Sequence, residues 1–193
     1  MGEDIAVRWR DATGTGLEHC RLRRSGGGIE VESLVIAPEG FAARYRLACD
    51  AGWRVRQAEV ECVAGAERRV LRADGEGGWW GDAGPLPELG GAVDIDISMT
   101  PFTNSLPIRR LGLAVGAAVE IEVAYLDMPL LAPSRRPQRY TRLTELLWRF
   151  EALDMDFAAD ITVDEAGLVV DYPGLFTRVA FGGTCRPGAA AAP

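Results

Sequence analysis

The chain has 193 residues and a net charge of −7, from 28 acidic against 21 basic residues. Every basic residue is arginine and His19 is the one histidine, which excludes lysine Schiff-base chemistry, a phosphate-loop lysine and multi-histidine metal sites. The acidic balance lacks the cationic footprint that nucleic-acid binding requires, and the length suits one domain with its own core.

The N-terminus, Met1-Gly2-Glu3-Asp4, is acidic and reaches Trp9 quickly, unlike a signal peptide. No run of 18 apolar residues exists to span a membrane, so a cytoplasmic protein without a transmembrane segment is expected. Cys20, Cys49, Cys62 and Cys185 have no C-x-x-C spacing and read as free thiols.

Along the chain the dominant period is two, the signature of strands with one dry face. Ile5, Val7 and Trp9 alternate with Arg8 and Arg10, and Phe41, Ala43, Tyr45 and Leu47 alternate with Arg44 and Arg46. Trp53 and Val55 run in one phase, Ala58, Val60 and Cys62 in the other, and this slip near Gln57 predicts a bulge. Val93 to Met99, Val119 to Tyr125 and Phe157 to Val163 alternate likewise. The last of these leads through Gly167 into Leu168 to Tyr172 as a hairpin. Residues 137–153 fit both a helical stripe and a strand; 146–152 is taken as strand, with a turn at Asp154 to Asp156. With no βαβ rhythm, the expected fold is mainly β, a single antiparallel sheet curled into a barrel or half-barrel with little helix. It spans residues 1–181, and the alanine-rich 182–193 is a disordered tail.

The stretch from Trp79 to Leu111 holds the candidate site. Asp94 and Asp96, two apart on a strand, project from one face about 7 Å apart at Cα, and Ser98 extends the row. Such a pair can serve as acid and base, hold a divalent cation, contact a headgroup, or simply be solvated. Arg109 and Arg110 would point to opposite faces of a strand, one pairing with Asp82, Asp94 or Asp96 or holding an anionic headgroup. Pro101 and Pro107 bracket a rigid excursion in which Asn104 suits a turn or a sugar hydroxyl. Trp80, beside Asp82 in a glycine-rich setting, can present a ring to a sugar, although tryptophans there also plug cores.

Asp94-Ile95-Asp96-Ile97-Ser98 followed by Thr100-Pro101-Phe102-Thr103-Asn104-Ser105-Leu106-Pro107-Ile108-Arg109-Arg110-Leu111 resembles a glycolipid-binding family, formerly a domain of unknown function. Trp9, Gly16-Leu17-Glu18-His19, Trp79-Trp80-Gly81-Asp82, Gln138 with Tyr140, and Asp171-Tyr172-Pro173-Gly174 fit the same family in order, over residues 5–180. Ala92 departs from it, standing where a cysteine is expected. The resemblance implies a barrel-like shell similar to lipoprotein and lipid carriers. It carries over no catalytic residue, cofactor or metal.

The expected function is therefore non-enzymatic binding of a lipid or glycolipid in an apolar cavity with a polar rim. The ligand-contacting candidates are Trp80, Asp82, Asp94, Asp96, Ser98, Asn104, Arg109 and Tyr140. A buried fourteen-carbon chain would contribute roughly 10 kcal/mol before entropic costs. The alternatives are a hydrolase or isomerase acting on a sugar through Asp94 and Asp96, and a partner-binding module docking through its sheet edges.

Overall fold

The computed structural model describes residues 3–63, 65 and 67–180. The expected tail at 182–193 and Cys185 lie outside the described residues. The N-terminal strands are β1 (Glu3–Asp11), β2 (Leu17–Ser25), β3 (Gly28–Ile36), β4 (Ala42–Cys49), β5 (Val55–Val63) and β6 (Arg68–Ala73). Short strands β7 (Trp79–Gly81), β8 (Gly84–Pro85) and β9 (Asp94–Ile97) precede a 3-10 turn at Phe102–Asn104 and helix α1 (Ser105–Leu111). The rest is β10 (Ala118–Asp127), β11 (Ala132–Arg142), β12 (Leu147–Ala152), β13 (Phe157–Val163), β14 (Val169–Tyr172) and β15 (Phe176–Arg178).

All fifteen strands join one sheet, ordered β8-β7-β6-β5-β4-β3-β2-β1-β15-β14-β13-β12-β11-β10-β9. Every pairing is antiparallel except β9 with β10, which is parallel, so the expected single, mainly antiparallel sheet carries one parallel pair at its edge. It is curled but not closed. The slip on β5 is a bulge: Ala48 pairs with Gln57 and Cys49 with Val55, leaving Arg56 unpaired. Residues 147–152 form a strand, as their period-two reading required.

Alternation decides which face turns inward. On β2 to β5 the residues Cys20, Leu22, Val31, Val35, Ala43, Tyr45, Leu47, Ala58 and Val60 are buried, while arginines and acids between them face out. Those outer residues are directly opposed across strands: Arg46 with Glu32, Arg44 with Glu61, Arg139 with both Glu120 and Glu151, and Arg149 with Asp160. All five pairs are ion pairs. Opposite charges across a strand pair favour one register, so the polar half of the pattern specifies the sheet as well as the apolar half.

A sheet this wide, once curled, leaves an interior to fill. Residues 98–111 fill it. The chain leaves β9 at one end of the shell, turns at Met99 to Pro101, and runs back through the middle as the 3-10 turn and α1. Phe102 and Leu106 are fully buried there, with Met99 and Ile108 nearly so. The expected rigid excursion between Pro101 and Pro107 is thus largely helical, because Pro107 falls in the first turn of α1, where its missing N–H costs nothing. Gly112 ends the helix in the left-handed region. Among the described residues, no helix is long and apolar enough to cross a membrane.

Removing the central ring should open a void that fifteen strands cannot collapse. Phe102→Ala is expected to cost about 3–5 kcal/mol, read as a lower denaturant midpoint at unchanged slope.

Candidate functional site

Two cavities open at the end of the shell where the chain enters its interior. The first has a volume of about 250 Å³. One side is aromatic and comes from β12 to β15: Phe150, Phe157, Tyr172 and Phe176. Tyr172 is the hub, its ring centroid 6.2 Å from Phe150, 6.3 Å from Phe157 and 6.4 Å from Phe176. The polar part of the lining comes from Asp96 and Ser98 on β9 and its exit, Asn104 in the 3-10 turn, and Gln138 on β11. Arg136, paired with Asp154, and Tyr125 complete the wall.

The polar side is one connected network. Thr103 Oγ1 donates to Asp96 Oδ1 at 3.0 Å and Gln138 Nε2 to Asp96 Oδ2 at 2.7 Å. Tyr140 OH donates to Gln138 Oε1 at 3.4 Å and accepts from Asn104 Nδ2 at 2.9 Å. Burial pushes the Asp96 carboxyl above its ordinary range, opposed by its two donors. Burial also holds the Tyr140 phenol well above its usual range. The wall therefore offers a carboxylate and amides whose orientation is fixed from behind.

The second cavity, about 310 Å³, adjoins the first, and both are walled by Ser98, Leu175 and Phe176. Most of its remaining wall comes from β1 to β3 and the turns β1–β2 and β3–β4, including Trp9 and Glu18, with Met99, Met128 and Gly174 contributing the rest. Glu18 is 2% exposed. Ser33 Oγ, Tyr45 OH and Thr100 Oγ1 donate to its Oε1 at 2.7, 2.6 and 2.9 Å. Its Oε2 has no partner among the described residues. Burial pushes this carboxyl up to about 7 against the three hydroxyl donors.

The eight candidates do not gather in one place. Asp96, Ser98 and Asn104 line the first cavity, and Tyr140 stands directly behind Asn104. Asp94, two residues before Asp96 on β9, does not line the first cavity. It is fully buried and gripped by Arg110, whose Nε and Nη2 reach it at 3.0 and 2.6 Å. A catalytic carboxylate pair requires both groups to face one pocket, and here only Asp96 does. Arg109 and Arg110 are helical neighbours rather than strand neighbours. Arg109 lies at the opposite end of the shell, its guanidinium 5.4 Å from the Trp53 ring and its stem so close to Gly167 that a Cβ there would meet its Cδ at 2.4 Å. Trp80, 39% exposed, and Asp82, loosely paired with Arg72, sit at the far edge of the sheet away from both cavities. Trp79 is the core plug of that pair, donating from Nε1 to the Ala92 carbonyl.

Glu18, Gln138 and the aromatic wall were not among the candidates. Their signal was present: Glu18 shares the inward phase of Cys20 and Leu22, and Gln138 that of Tyr140. Among the described residues no group of three or more His, Cys, Asp or Glu side chains could hold a metal ion.

The chain belongs to the Putative glycolipid-binding family, whose model matches residues 6–178. It is similar to a DUF1089 family protein from Pseudomonas aeruginosa of known crystal structure, at 41% identity and a TM-score of 0.73, over 84% of this chain and 92% of that one. No curated protein matches it.

Two measurements probe the buried acids. Arg110→Ala leaves Asp94 uncompensated and should cost about 3–5 kcal/mol of stability, whereas replacing both partners with apolar residues of similar volume should restore most of it. For Glu18, the raised value means the fold favours the neutral carboxyl. Its stabilisation is complete below about pH 4.5 and lost as pH rises through about 7. Chemical denaturation from pH 5 to 8 should show the wild type losing about 2–3 kcal/mol more than Glu18→Gln.

Proposed function

We propose that the chain binds a glycolipid without chemical conversion, a sugar ring resting in the first cavity and the lipid chain leaving over Met155 and Leu175. The observation that carries this reading is that one open cavity is lined both by a cluster of aromatic rings and by a fixed carboxylate–amide group. A sugar ring has an apolar C–H face and a rim of hydroxyls, and this cavity offers surface complementary to both. The family's name points the same way.

The volume refines the ligand geometry. About 250 Å³ lies just below the usual range for small-molecule pockets, so the cavity matches a headgroup more closely than a long enclosed chain. With α1 and Phe102 occupying the middle of the shell, a fourteen-carbon tail has its place at the mouth rather than through the core.

Titration calorimetry with octyl β-glucoside, kept below its micelle concentration, tests the reading. Saturable binding is expected, weakened about tenfold or more by Asp96→Asn, which removes a charged acceptor, and by Phe157→Ala, which removes the stacking face. An octyl glucoside affinity indifferent to both substitutions in folded variants, or no binding, would overturn it.

A further inference from the structure

The second cavity has different chemistry from the first. Trp9, Phe41 and Met99 give it an apolar lining, and Asp11, Glu18 and Glu39 are its charged wall residues. Among its described wall residues none is an arginine, in a chain whose 21 basic residues are all arginine. Elsewhere the arginines are distributed against acids, across the outer face and in the Arg110–Asp94 pair. Here three carboxylates stand without one.

Glu18 sharpens the point. A buried carboxylate is ordinarily matched by a cation or saturated by donors on both oxygens. Its Oε1 collects three hydroxyls while its Oε2 has no partner among the described residues. Phe41, half-buried in that wall, adds an aromatic ring, and aromatic faces attract positive charge.

We propose that the second cavity is a binding site for a cationic amphiphile, an alkyl chain ending in a protonated amine, whose charge is balanced by Glu18 together with Asp11 and Glu39. This site stands apart from the glycolipid reading and does not depend on it. An ammonium group requires the ionised form of Glu18, and burial holds that carboxyl up to about 7. The groups around it do not compete in this window. Burial keeps Tyr45 on β4 and Cys20 on β2 well above their usual ranges, so both stay neutral. Asp11, where hydrogen bonds from Thr13 and Gly16 outweigh burial, lies below its usual range and stays ionised. Glu39 stands exposed on the β3–β4 turn. Affinity for an amine should therefore be level above about pH 8 and fall about tenfold per pH unit well below 7.

Titration calorimetry with octylamine, 1-octanol and octanoate separates the chemistry. At pH 8 the wild type should bind octylamine about tenfold or more tightly than either comparator, Glu18→Gln should lose that preference, and Asp96→Asn should keep it. Octylamine binding to the wild type should weaken about tenfold or more between pH 8 and pH 5.5, a readout that needs no variant to fold. The proposal is overturned if octanol or octanoate binds as tightly as octylamine, if no saturable octylamine binding occurs, if folded Glu18→Gln keeps the preference, or if the affinity is flat with pH. Octyl glucoside binding that fails while octylamine binding holds would remove the first reading and leave this one.

Discussion

The structure depends on a length of chain turned inward and held there by buried polar contacts. Fifteen strands curled into an open shell enclose more space than their own side chains occupy, and residues 98–111 take up the difference. Their apolar members, Met99, Phe102, Leu106 and Ile108, make the filling favourable. Their polar members make it specific. Thr100 reaches Glu18 and Tyr45 on β2 and β4, Asn104 reaches Tyr140 on β11, and Arg110 returns to Asp94 on β9. Each contact touches a different part of the sheet, so the inserted segment fixes how tightly the two halves curl toward each other. A buried polar group left without its partner costs more than the hydrogen bond contributes, and misplacing the segment by one residue would strand several at once.

This arrangement leaves room at the end where the segment enters. The segment enters beside Ser98 and becomes thickest where α1 lies. The entry end, roofed only by turns, keeps two cavities that share Ser98, Leu175 and Phe176. At the other end Arg109 is clasped between Trp53 and the turn at Gly167, where a glycine with φ of 75° lets the arginine stem approach. The segment itself supplies the arginine of that clasp, so filling the shell and fastening its far end are linked.

The sheet was legible in the sequence because both halves of its alternation carry information. Apolar residues mark the inner face, arginines and acids mark the outer, and the bulge at Arg56 shows as a change of phase. The inserted segment was not legible for a local reason. Seven helical residues with a proline among them give no periodicity to detect, and β9 is buried on both faces, so alternation there no longer separates inside from outside. Asp94 and Asp96 therefore look equivalent in the alternation, yet Asp94 is fully buried against Arg110 while Asp96 lines the first cavity. Trp80 looked like a rim residue on local composition, yet a ring's position depends on which strand pairs with its own, and β7 pairs far from the cavities. Glu18 could have been found by extending the phase of Cys20 and Leu22 backward by one step, which places a carboxyl among inward-facing residues.

The same residues that anchor the inserted segment form the walls of the cavities, and this links recognition to the fold. Asp96 holds Thr103 and Gln138 while facing the first cavity, and Glu18 holds Thr100 while bordering the second. Neither carboxylate can be reoriented by a ligand without loosening the segment, so both present a fixed geometry before anything binds, with little ordering cost left for the ligand to offset. The two cavities nevertheless differ in charge because their strands differ in outer-face partners: Arg136 on β11 reaches over the rim of the first to Asp154, whereas Arg21, Arg44 and Arg46 of β2 and β4 are drawn outward into pairs across strands. The difference in charge between the two cavities thus follows from how the charge pattern on the outside of the shell sets the register of the sheet.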